Sequence, residues 1–234
     1  MNRKKSFSNE RLFIFNVYLY TNMDKKTKNI RIQYDIQLND EQNTILQNFG
    51  KTPFLFLTGG AGTGKTLAAT YLALNALFKK QCEQIIITRP TVSTEENGFL
   101  PGTLEEKLEP WLQPIRSNLR KVYNHVDKLK KMEAEKQIEI ISLQHFRGVT
   151  FDNAVCIIDE FQNLTTNQLK MAIGRLGKNS IMIFCGDYNQ IDLKQRGDSA
   201  IYQIEKIKNS NYVNITDLTV NHRHPAITEL LNLI

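Results

Sequence analysis

Cysteine is scarce in this sequence, and repeats and low-complexity tracts are absent. The three cysteines, Cys82, Cys156 and Cys185, form no C-x-x-C pair, which excludes a disulfide framework and the usual cysteine metal motifs. Two of them fall within short apolar runs, so we expect buried thiols in a reducing, cytoplasmic setting. The absence of repeats excludes solenoid and fibrous proteins, and 234 residues with 41% hydrophobic residues favour one globular core.

Long hydrophobic runs are also lacking. The apolar run of residues 12–20 is interrupted by Asn16 and is too short to span a bilayer. The residues that follow it do not form the small-residue pattern of a signal-peptide cleavage site. We therefore predict no membrane partner and no secretory signal.

The positive charge is confined to the N-terminal segment. The chain has a formal net charge of +6, and residues 1–31 hold eight of its 30 basic residues but only two of its 24 acidic ones. The rest of the chain is therefore neutral, and overall charge provides no argument that the main domain binds a polyanion. We predict a basic extension at 1–31, either weakly ordered or a misassigned start with Met23 as the true first residue, and a domain at 32–234.

Short apolar runs alternate with helical patterns along this domain. Most of the runs lack polar alternation, which is typical of parallel strands covered on both faces. Their alternation with helices predicts an α/β fold with a doubly wound, mainly parallel sheet. The predicted strands are residues 54–58, 85–88, 138–143, 155–158, 181–185 and 212–215, and the predicted helices are residues 65–80, 104–131, 167–176 and 199–208, after an earlier helix that opens at 38–42.

Residues 59–66 read GGAGTGKT and match the phosphate-binding loop pattern G-x-x-x-x-G-K-[ST]. The match lies between a predicted strand and a predicted helix, as this loop requires. Glycines let backbone N–H groups converge on a phosphate at the positive end of the helix. We predict that Lys65 reaches the β and γ phosphates and that the Thr66 hydroxyl is a Mg²⁺ ligand. The predicted nucleotide-binding residues here are Gly59, Gly60, Ala61, Gly62, Thr63, Gly64, Lys65 and Thr66.

Polar side chains at the ends of later segments complete a predicted hydrolytic site. Asp159 and Glu160 follow the strand at 155–158; we predict that Asp159 holds Mg²⁺ through water and that Glu160 polarises the attacking water. Gln190 follows another strand and is predicted to sense the γ phosphate, the alternative being a solvated turn. Arg223 can stabilise charge on the transferred phosphoryl group, the alternative being an ordinary surface arginine.

The order of these motifs resembles the PhoH family of ATPases, which are similar to a single RecA-like core of superfamily 1 helicases. The resemblance covers about residues 38–234 and implies a RecA-like P-loop NTPase core that uses ATP and Mg²⁺. The segments that carry it are GGAGTGKT, Thr88-Arg89-Pro90 followed by GFLPG, residues 146–151, IIDEFQN, GDYNQIDL and Arg223-His224-Pro225.

The resemblance also implies roles for residues outside the loop. Gln42 resembles the glutamine with which such ATPases read adenine, which would favour ATP over GTP. Arg223 resembles the arginine that contacts the γ phosphate. The Arg89-Pro90 pair and residues 145–150 resemble elements that contact a nucleic-acid backbone, so RNA or single-stranded DNA is an implied partner.

Two residues depart from the family pattern. Val149 stands where family members commonly carry an arginine, which weakens the prediction of nucleic-acid contact there. Phe161 replaces a usual small residue after the Asp-Glu pair, and we expect hydrolysis to tolerate it. A translocating helicase needs two RecA-like domains and this sequence has one, so we expect either a homo-oligomeric ring or no translocation.

The sequence thus predicts an Mg²⁺-dependent ATPase. The resemblance adds coupling of ATP hydrolysis to RNA or single-stranded DNA as a possibility. The predicted catalytic residues are Lys65, Glu160, Gln190 and Arg223; Gln42 and the loop bind the nucleotide, and Thr66 and Asp159 hold the metal. An alternative of another class is an ATP-switched assembly or binding module with slow hydrolysis and no translocation. A small-molecule kinase is disfavoured, because the Asp-Glu pair suits activation of water better than reception of an acceptor substrate.

Overall fold

The computed structural model of the chain describes residues 36–90 and 104–224, together with residues 226, 229 and 230. The predicted basic extension at 1–31 and the GFLPG motif at 98–102 lie outside these residues. Six strands alternate with helices along the described part of the chain.

The strands and helices have the following bounds. The strands are β1 (Phe54–Gly59), β2 (Gln84–Thr88), β3 (Ile138–Ile140), β4 (Ala154–Ile158), β5 (Ile181–Gly186) and β6 (Val213–Leu218). The α-helices are α1 (Asp40–Asn48), α2 (Lys65–Phe78), α3 (Leu104–Val122), α4 (Val126–Ala134), α5 (Thr166–Ile173) and α6 (Ile204–Ile207). Short 3₁₀ helices cover Leu143–Phe146, Phe161–Asn163, Arg196–Asp198 and Ala200–Gln203.

The six strands form one sheet in the order β3-β2-β4-β5-β1-β6, and the registered strand pairs are all parallel. Strand β5 lies between β1 and β4, with Phe184 paired to Phe56 on one side and to Ile158 on the other. Because the strands are parallel, their carboxyl ends meet at one edge of the sheet, where such folds bind ligands. The predicted α/β fold with a doubly wound, mainly parallel sheet is confirmed.

Apolar side chains cover the central strands on both faces. Strands β4 and β5 are buried along their whole length, which explains why their sequences are continuous apolar runs. Helix α2 buries a series of small residues, Ala68, Ala69 and Ala73 among them, each at most 2% exposed. Small side chains let the helix approach the sheet closely, so the loop at its N-terminus is held against a rigid core.

Helix α1 begins with a capping box at Asn39. The Gln42 N–H donates to Asn39 Oδ1 at 2.8 Å, and the Asn39 N–H donates to Gln42 Oε1 at 3.2 Å. Such reciprocal bonds satisfy two of the unpaired donors at a helix start. Helix α1 ends at Asn48, and Gly50 follows with φ of +87°.

Three predicted segments differ from the structure. The strand predicted over 138–143 ends at Ile140, and Leu143 begins a 3₁₀ helix. The helix predicted over 104–131 is two helices, α3 and α4, separated by a turn at 123–125; the buried Tyr123 packs on Phe78 with ring centroids 5.0 Å apart. This contact anchors the segment between the two helices. The helix predicted over 199–208 is a 3₁₀ turn followed by the single turn of α6, and Ser199 caps it by accepting from the Ile201 N–H.

All three cysteines lie among the described residues, whereas the apolar run at 12–20 lies outside them. Cys82, Cys156 and Cys185 are free and buried, as predicted. In the portion of the chain that the structure describes, no helix combines the length and the apolar character needed to cross a bilayer.

Candidate nucleotide-binding site

The loop between β1 and α2 has the backbone conformation that its glycines permit. Gly59, Gly62 and Gly64 have φ of +139°, +86° and +80°, a region that side chains with a Cβ rarely adopt. A Cβ on Gly59 would also lie 2.3 Å from the Leu218 carbonyl oxygen at the end of β6. The glycines therefore serve both the curvature of the loop and its close contact with β6.

Lys65 and Thr66 begin α2 at the end of this loop. Lys65 Nζ donates to the carbonyl oxygens of Gly59 and Gly60, each at 2.8 Å, so the ammonium lies across the mouth of the loop. The Thr66 hydroxyl donates to Asp159 Oδ1 at 2.6 Å. The structure thus brings the predicted metal residues of the loop and of β4 into direct contact.

Asp159 is a buried carboxylate at the carboxyl end of β4. It is 4% exposed, and its burial, with the neighbouring Glu160 charge, raises its pKa from 3.8 to about 6, although the hydrogen bond from Thr66 and the Arg89 charge oppose this rise. A hydroxyl and a buried carboxylate side by side are hard oxygen donors, which suit Mg²⁺. The residues present therefore fit the metal that the loop motif implies.

Glu160 is held by two side chains. Its own φ is +53°, which turns the backbone sharply after β4. Arg89 Nη2, just past the end of β2, lies 3.4 Å from Glu160 Oε1, and Gln162 Nε2 donates to Glu160 Oε2 at 2.6 Å. The two carboxylate oxygens of the predicted general base are therefore contacted by one residue that follows β2 and by one in the 3₁₀ turn that follows β4.

Gln162 connects Glu160 to the loop after β5 and was not predicted as a site residue. Its fully buried side chain donates to the Gln190 carbonyl oxygen at 2.9 Å and accepts from the Asp187 N–H at 3.1 Å. Gln190 in turn donates through Nε2 to Asp187 Oδ2 at 2.6 Å. The sequence signal for Gln162 is its place in the IIDEFQN segment, which was interpreted through its acids.

Phe161, the departure from the family pattern, lies in the core beside the site. It is fully buried and packs edge-on against Phe56 and Phe184, with centroid distances of 5.6 and 5.7 Å. A Cβ on Gly186 would lie 2.5 Å from the Phe161 ring. The glycine at the end of β5 thus makes room for the large side chain, which leaves the Asp-Glu pair at the edge of the sheet.

Gln42 lies against the phosphate-binding loop from the side of α1. It is 4% exposed, and its Nε2 would be 2.7 Å from a Cβ on Gly64. Its Oε1 is engaged by the Asn39 N–H in the capping box. The structure therefore places the residue implied to read adenine next to the loop, with Nε2 as the amide group directed toward it.

Arg223 lies across the same loop from the side of β6. A Cβ on Gly62 would be 2.6 Å from Arg223 Cγ and 2.7 Å from Asn221 Oδ1. The His222 N–H donates to the Gly62 carbonyl oxygen at 3.0 Å. The structure thus brings Arg223 to the loop although it lies 161 positions after Gly62 in the chain numbering.

The segment at 145–150 presents a different surface. His145 Nδ1 is 2.8 Å from Ser142 Oγ, and Val149 is 43% exposed.

Among the described residues, no group of three or more His, Cys, Asp or Glu side chains could hold a metal ion. Within the described ranges, the candidate metal ligands are therefore those of the hydroxyl–carboxylate pair Thr66 and Asp159.

A six-stranded parallel sheet with a phosphate-binding loop, an Asp-Glu pair and polar loops at one edge defines a P-loop protein with a nucleotide-binding fold. The family model described as PhoH-like protein matches residues 36–234. The chain belongs to the PhoH-like protein family, as its motifs implied.

Curated relatives agree with this assignment. The chain is 36% identical over 197 residues to a PhoH-like protein of Synechocystis, a match that covers 81% of the chain and 59% of that relative. It is 38% identical over 185 residues to a PhoH-like protein of Bacillus subtilis, with 77% and 58% covered. Protein PhoH of Escherichia coli is 39% identical over 158 residues, with 66% and 44% covered. The chain thus spans a little over half the length of the first two relatives.

A solved structure shows the same fold at low sequence identity. The large terminase of a thermophilic bacteriophage superposes with a TM-score of 0.53 and 10% identity, over 84% of this chain and 50% of the terminase chain. The Pif1 helicase of Candida albicans gives a TM-score of 0.46 and 18% identity over 85% and 43% of the two chains. At these identities the terminase match concerns the architecture alone.

Proposed function

We propose that the chain binds ATP with Mg²⁺ and hydrolyses the bond between the β and γ phosphates. The single observation that carries this proposal is the 2.6 Å hydrogen bond between Thr66 and Asp159, which joins the phosphate-binding loop to the end of β4 with Glu160 beside it. A hydroxyl at the start of α2, with a buried carboxylate and a second carboxylate after β4, forms the set of groups that phosphoryl transfer to water requires.

Each residue then has a defined task. Thr66 and Asp159 would hold Mg²⁺, which neutralises charge on the phosphate oxygens. Glu160 takes a proton from water as the water oxygen attacks the γ phosphorus, and the bond to the β-phosphate oxygen breaks to release ADP. Lys65 and Arg223 stabilise the negative charge that spreads over the transferred group. Gln190 orients the γ phosphate or the water.

Two substitutions separate binding from chemistry. Lys65→Ala removes charge from the phosphate site, so both nucleotide affinity and turnover should fall. Glu160→Gln keeps the shape but removes the proton acceptor, so turnover should fall roughly 100-fold while ATP affinity stays within a few fold of wild type. Calorimetric titration with a non-hydrolysable ATP analogue and a phosphate-release assay measure the two quantities. Equal turnover in wild type and Glu160→Gln would refute the role of Glu160.

We further propose that RNA or single-stranded DNA raises turnover by drawing Arg89 away from Glu160. The two side chains are 31% and 24% exposed, so a phosphate in solution can reach Arg89. An arginine binds phosphate and carboxylate in the same forked geometry, so a nucleic-acid backbone competes with Glu160 for it. Release of Glu160 Oε1 leaves that oxygen available to accept a proton from water.

Arg89→Gln tests this coupling. We expect basal turnover to be equal or higher and stimulation by single-stranded RNA or DNA to disappear. Arg116→Gln is the matched control, because it removes an arginine that also pairs with a glutamate at 3.3 Å, Glu133, on helices α3 and α4. If Arg89→Gln retains full stimulation across salt concentrations, the coupling does not pass through this ion pair.

A second candidate function is an ATP-switched binding module with slow hydrolysis. This candidate is favoured by the contacts of Glu160, because Arg89 lies against its Oε1 and Gln162 donates to its Oε2. Turnover that is slow and indifferent to nucleic acid, together with tight ATP binding, would favour this candidate.

Arg223 lies at the loop of its own chain, which supports catalysis without a neighbouring subunit. Mass photometry with and without ATP tests whether a homo-oligomeric ring forms.

A further inference from the structure

The residues that lead to Arg223 are fastened to the first turn of α1. We name residues 219–223 the Arg223 segment; it follows β6 directly and its described side chains are exposed. Glu41, the second residue of α1, accepts hydrogen bonds from the backbone N–H groups of Thr219 at 3.1 Å and Val220 at 3.3 Å, and from the Thr219 hydroxyl. Three donors from one segment thus converge on one carboxylate.

These hydrogen bonds are made by the charged form of Glu41. The Thr219 hydroxyl in the first place, and the two backbone N–H groups after it, lower the pKa of Glu41 below its usual value. A carboxylate in the first turn of a helix is also favoured by the helix dipole. Hydrogen bonds to an ionised group are stronger than neutral ones, so the charge of Glu41 favours all three of these contacts.

Further contacts continue the connection toward the phosphate-binding loop. Asn39 Nδ2 lies 3.1 Å from His222 Nε2, and the His222 N–H donates to the Gly62 carbonyl oxygen at 3.0 Å. The Arg223 side chain then passes within 2.6 Å of the position that a Cβ on Gly62 would take. The start of α1, the Arg223 segment and the loop therefore form a closed chain of contacts.

We propose that Glu41 is a positioning residue, whose carboxylate fastens the Arg223 segment to α1 and so holds Arg223 over the phosphate-binding loop. The role rests on the proposed ATPase function, because Arg223 matters to turnover only if phosphoryl transfer takes place at this loop. Glu41 itself contacts the segment and not the loop. Helix α1 does not depend on Glu41 for its own place, since the buried Ile45 and the capping box of Asn39 and Gln42 hold it.

Hydrogen exchange measures the fastening directly and needs no nucleotide. In Glu41→Ala the Thr219 and Val220 amides lose their acceptor, so we expect their exchange to be roughly tenfold faster, consistent with the loss of a charge-assisted hydrogen bond. Glu41→Gln keeps one acceptor oxygen and should give an intermediate increase. Asp40→Asn is the matched control: it removes the same charge from the same helix turn, at an exposed residue. Unchanged exchange at Thr219 and Val220 in Glu41→Ala would overturn the proposal.

A double-mutant cycle with Arg223→Ala tests the consequence for turnover. Glu41→Ala alone should lower kcat roughly tenfold with little change in KM, because a misplaced arginine is lost mainly from the transition state. In the Arg223→Ala background the same substitution should cost less than about twofold. Equal losses in both backgrounds would overturn the positioning role. If the wild-type chain hydrolyses no ATP, the proposed function fails, and hydrogen exchange still decides whether Glu41 fastens the segment.

Discussion

Gln162 and Glu160 share a 2.6 Å hydrogen bond at the carboxyl end of β4, and the same Gln162 amide nitrogen reaches the backbone of Gln190. The amide oxygen accepts from the Asp187 N–H. One buried side chain therefore sets the distance between the proposed base and the loop proposed to sense the γ phosphate. A change at either end is transmitted through the Gln162 amide.

We predict that Gln162→Ala lowers kcat by roughly 10-fold to 100-fold and leaves ATP affinity nearly unchanged, because it frees Glu160 and Gln190 from their common partner. It also leaves the buried Asp187 N–H without this acceptor, which costs about 1–3 kcal/mol of stability. Phosphate release at saturating ATP and urea denaturation measure the two effects.

Asn163→Ala is the control for this stability loss. Asn163 belongs to the same 3₁₀ turn and is also buried, but it pairs with Asp192 at 3.0 Å and 2.8 Å. The control should lose similar stability and retain turnover. A matching fall in turnover for both variants would show that Gln162 acts only through the fold.

Strand positions could be predicted because they depend on local sequence. Each of the six apolar runs became a strand of one parallel sheet, and the wholly buried β4 and β5 show why: residues buried on both faces must be apolar wherever the strand lies. The run at 138–143 was too long: β3 ends at Ile140, and Leu143 begins a 3₁₀ turn. A buried leucine satisfies strand and turn alike, so composition alone could not separate them.

Site residues divide in the same way. The loop at 59–66 follows a local pattern, and the order of the motifs was enough to predict that Asp159 and Thr66 belong to one metal site. The roles of Gln162 and Glu41 could not be predicted, because each depends on a partner chosen by the fold. Glu41 contacts Thr219, 178 residues later. No periodicity records such a contact, and a glutamate in a first helical turn is already explained by the helix dipole.

Alanine substitutions at two glycines of the phosphate-binding loop should differ in their effect on stability. Gly62→Ala places a Cβ 2.6 Å from Arg223 Cγ at a φ of +86°, so we expect a loss of about 1–3 kcal/mol in the free energy of unfolding. Gly60→Ala meets no atom within 4 Å, and its φ lies outside the left-handed region, so we expect a change below about 0.5 kcal/mol. Urea denaturation without nucleotide compares the two. A Gly62→Ala variant as stable as wild type would contradict both the left-handed backbone of Gly62 and the position of Arg223 over the loop.

The buried Asp159 makes the protein without metal less stable at neutral pH. Its folded pKa of about 6 lies above the usual 3.8, so the folded state holds the proton more tightly than the unfolded state. The stability gained from the protonated form is full below about pH 4 and is lost as pH rises through 6. At pH 7.5 the cost reaches about 3 kcal/mol.

We therefore predict that Asp159→Asn is more stable than wild type in EDTA at pH 7.5, with a difference roughly half as large at pH 5. Asn keeps an oxygen that can accept from Thr66. Asp198→Asn is the control, since Asp198 is exposed. Urea denaturation at the two pH values measures the differences. A less stable Asp159→Asn variant at pH 7.5 would contradict the raised pKa.

The three thiols should report on opening of the core. Burial raises the pKa of Cys82 and Cys156 to about 12 and that of Cys185 well above its usual value, and the thiolate is the reactive form. At pH 8 we expect the thiols of the native chain to resist a disulfide reagent such as dithionitrobenzoate. When the chain is unfolded in guanidinium, the reaction should release three equivalents of thionitrobenzoate per chain. Cys82, 6% exposed against at most 1% for the other two, should react first. Since Cys185 is the next-to-last residue of β5 and lies within reach of the charges of Lys65 and Asp159, Mg²⁺ with ATP should slow its labelling more than that of Cys82. A thiol that reacts in the native chain at the rate of free cysteine would contradict the buried core around β4 and β5.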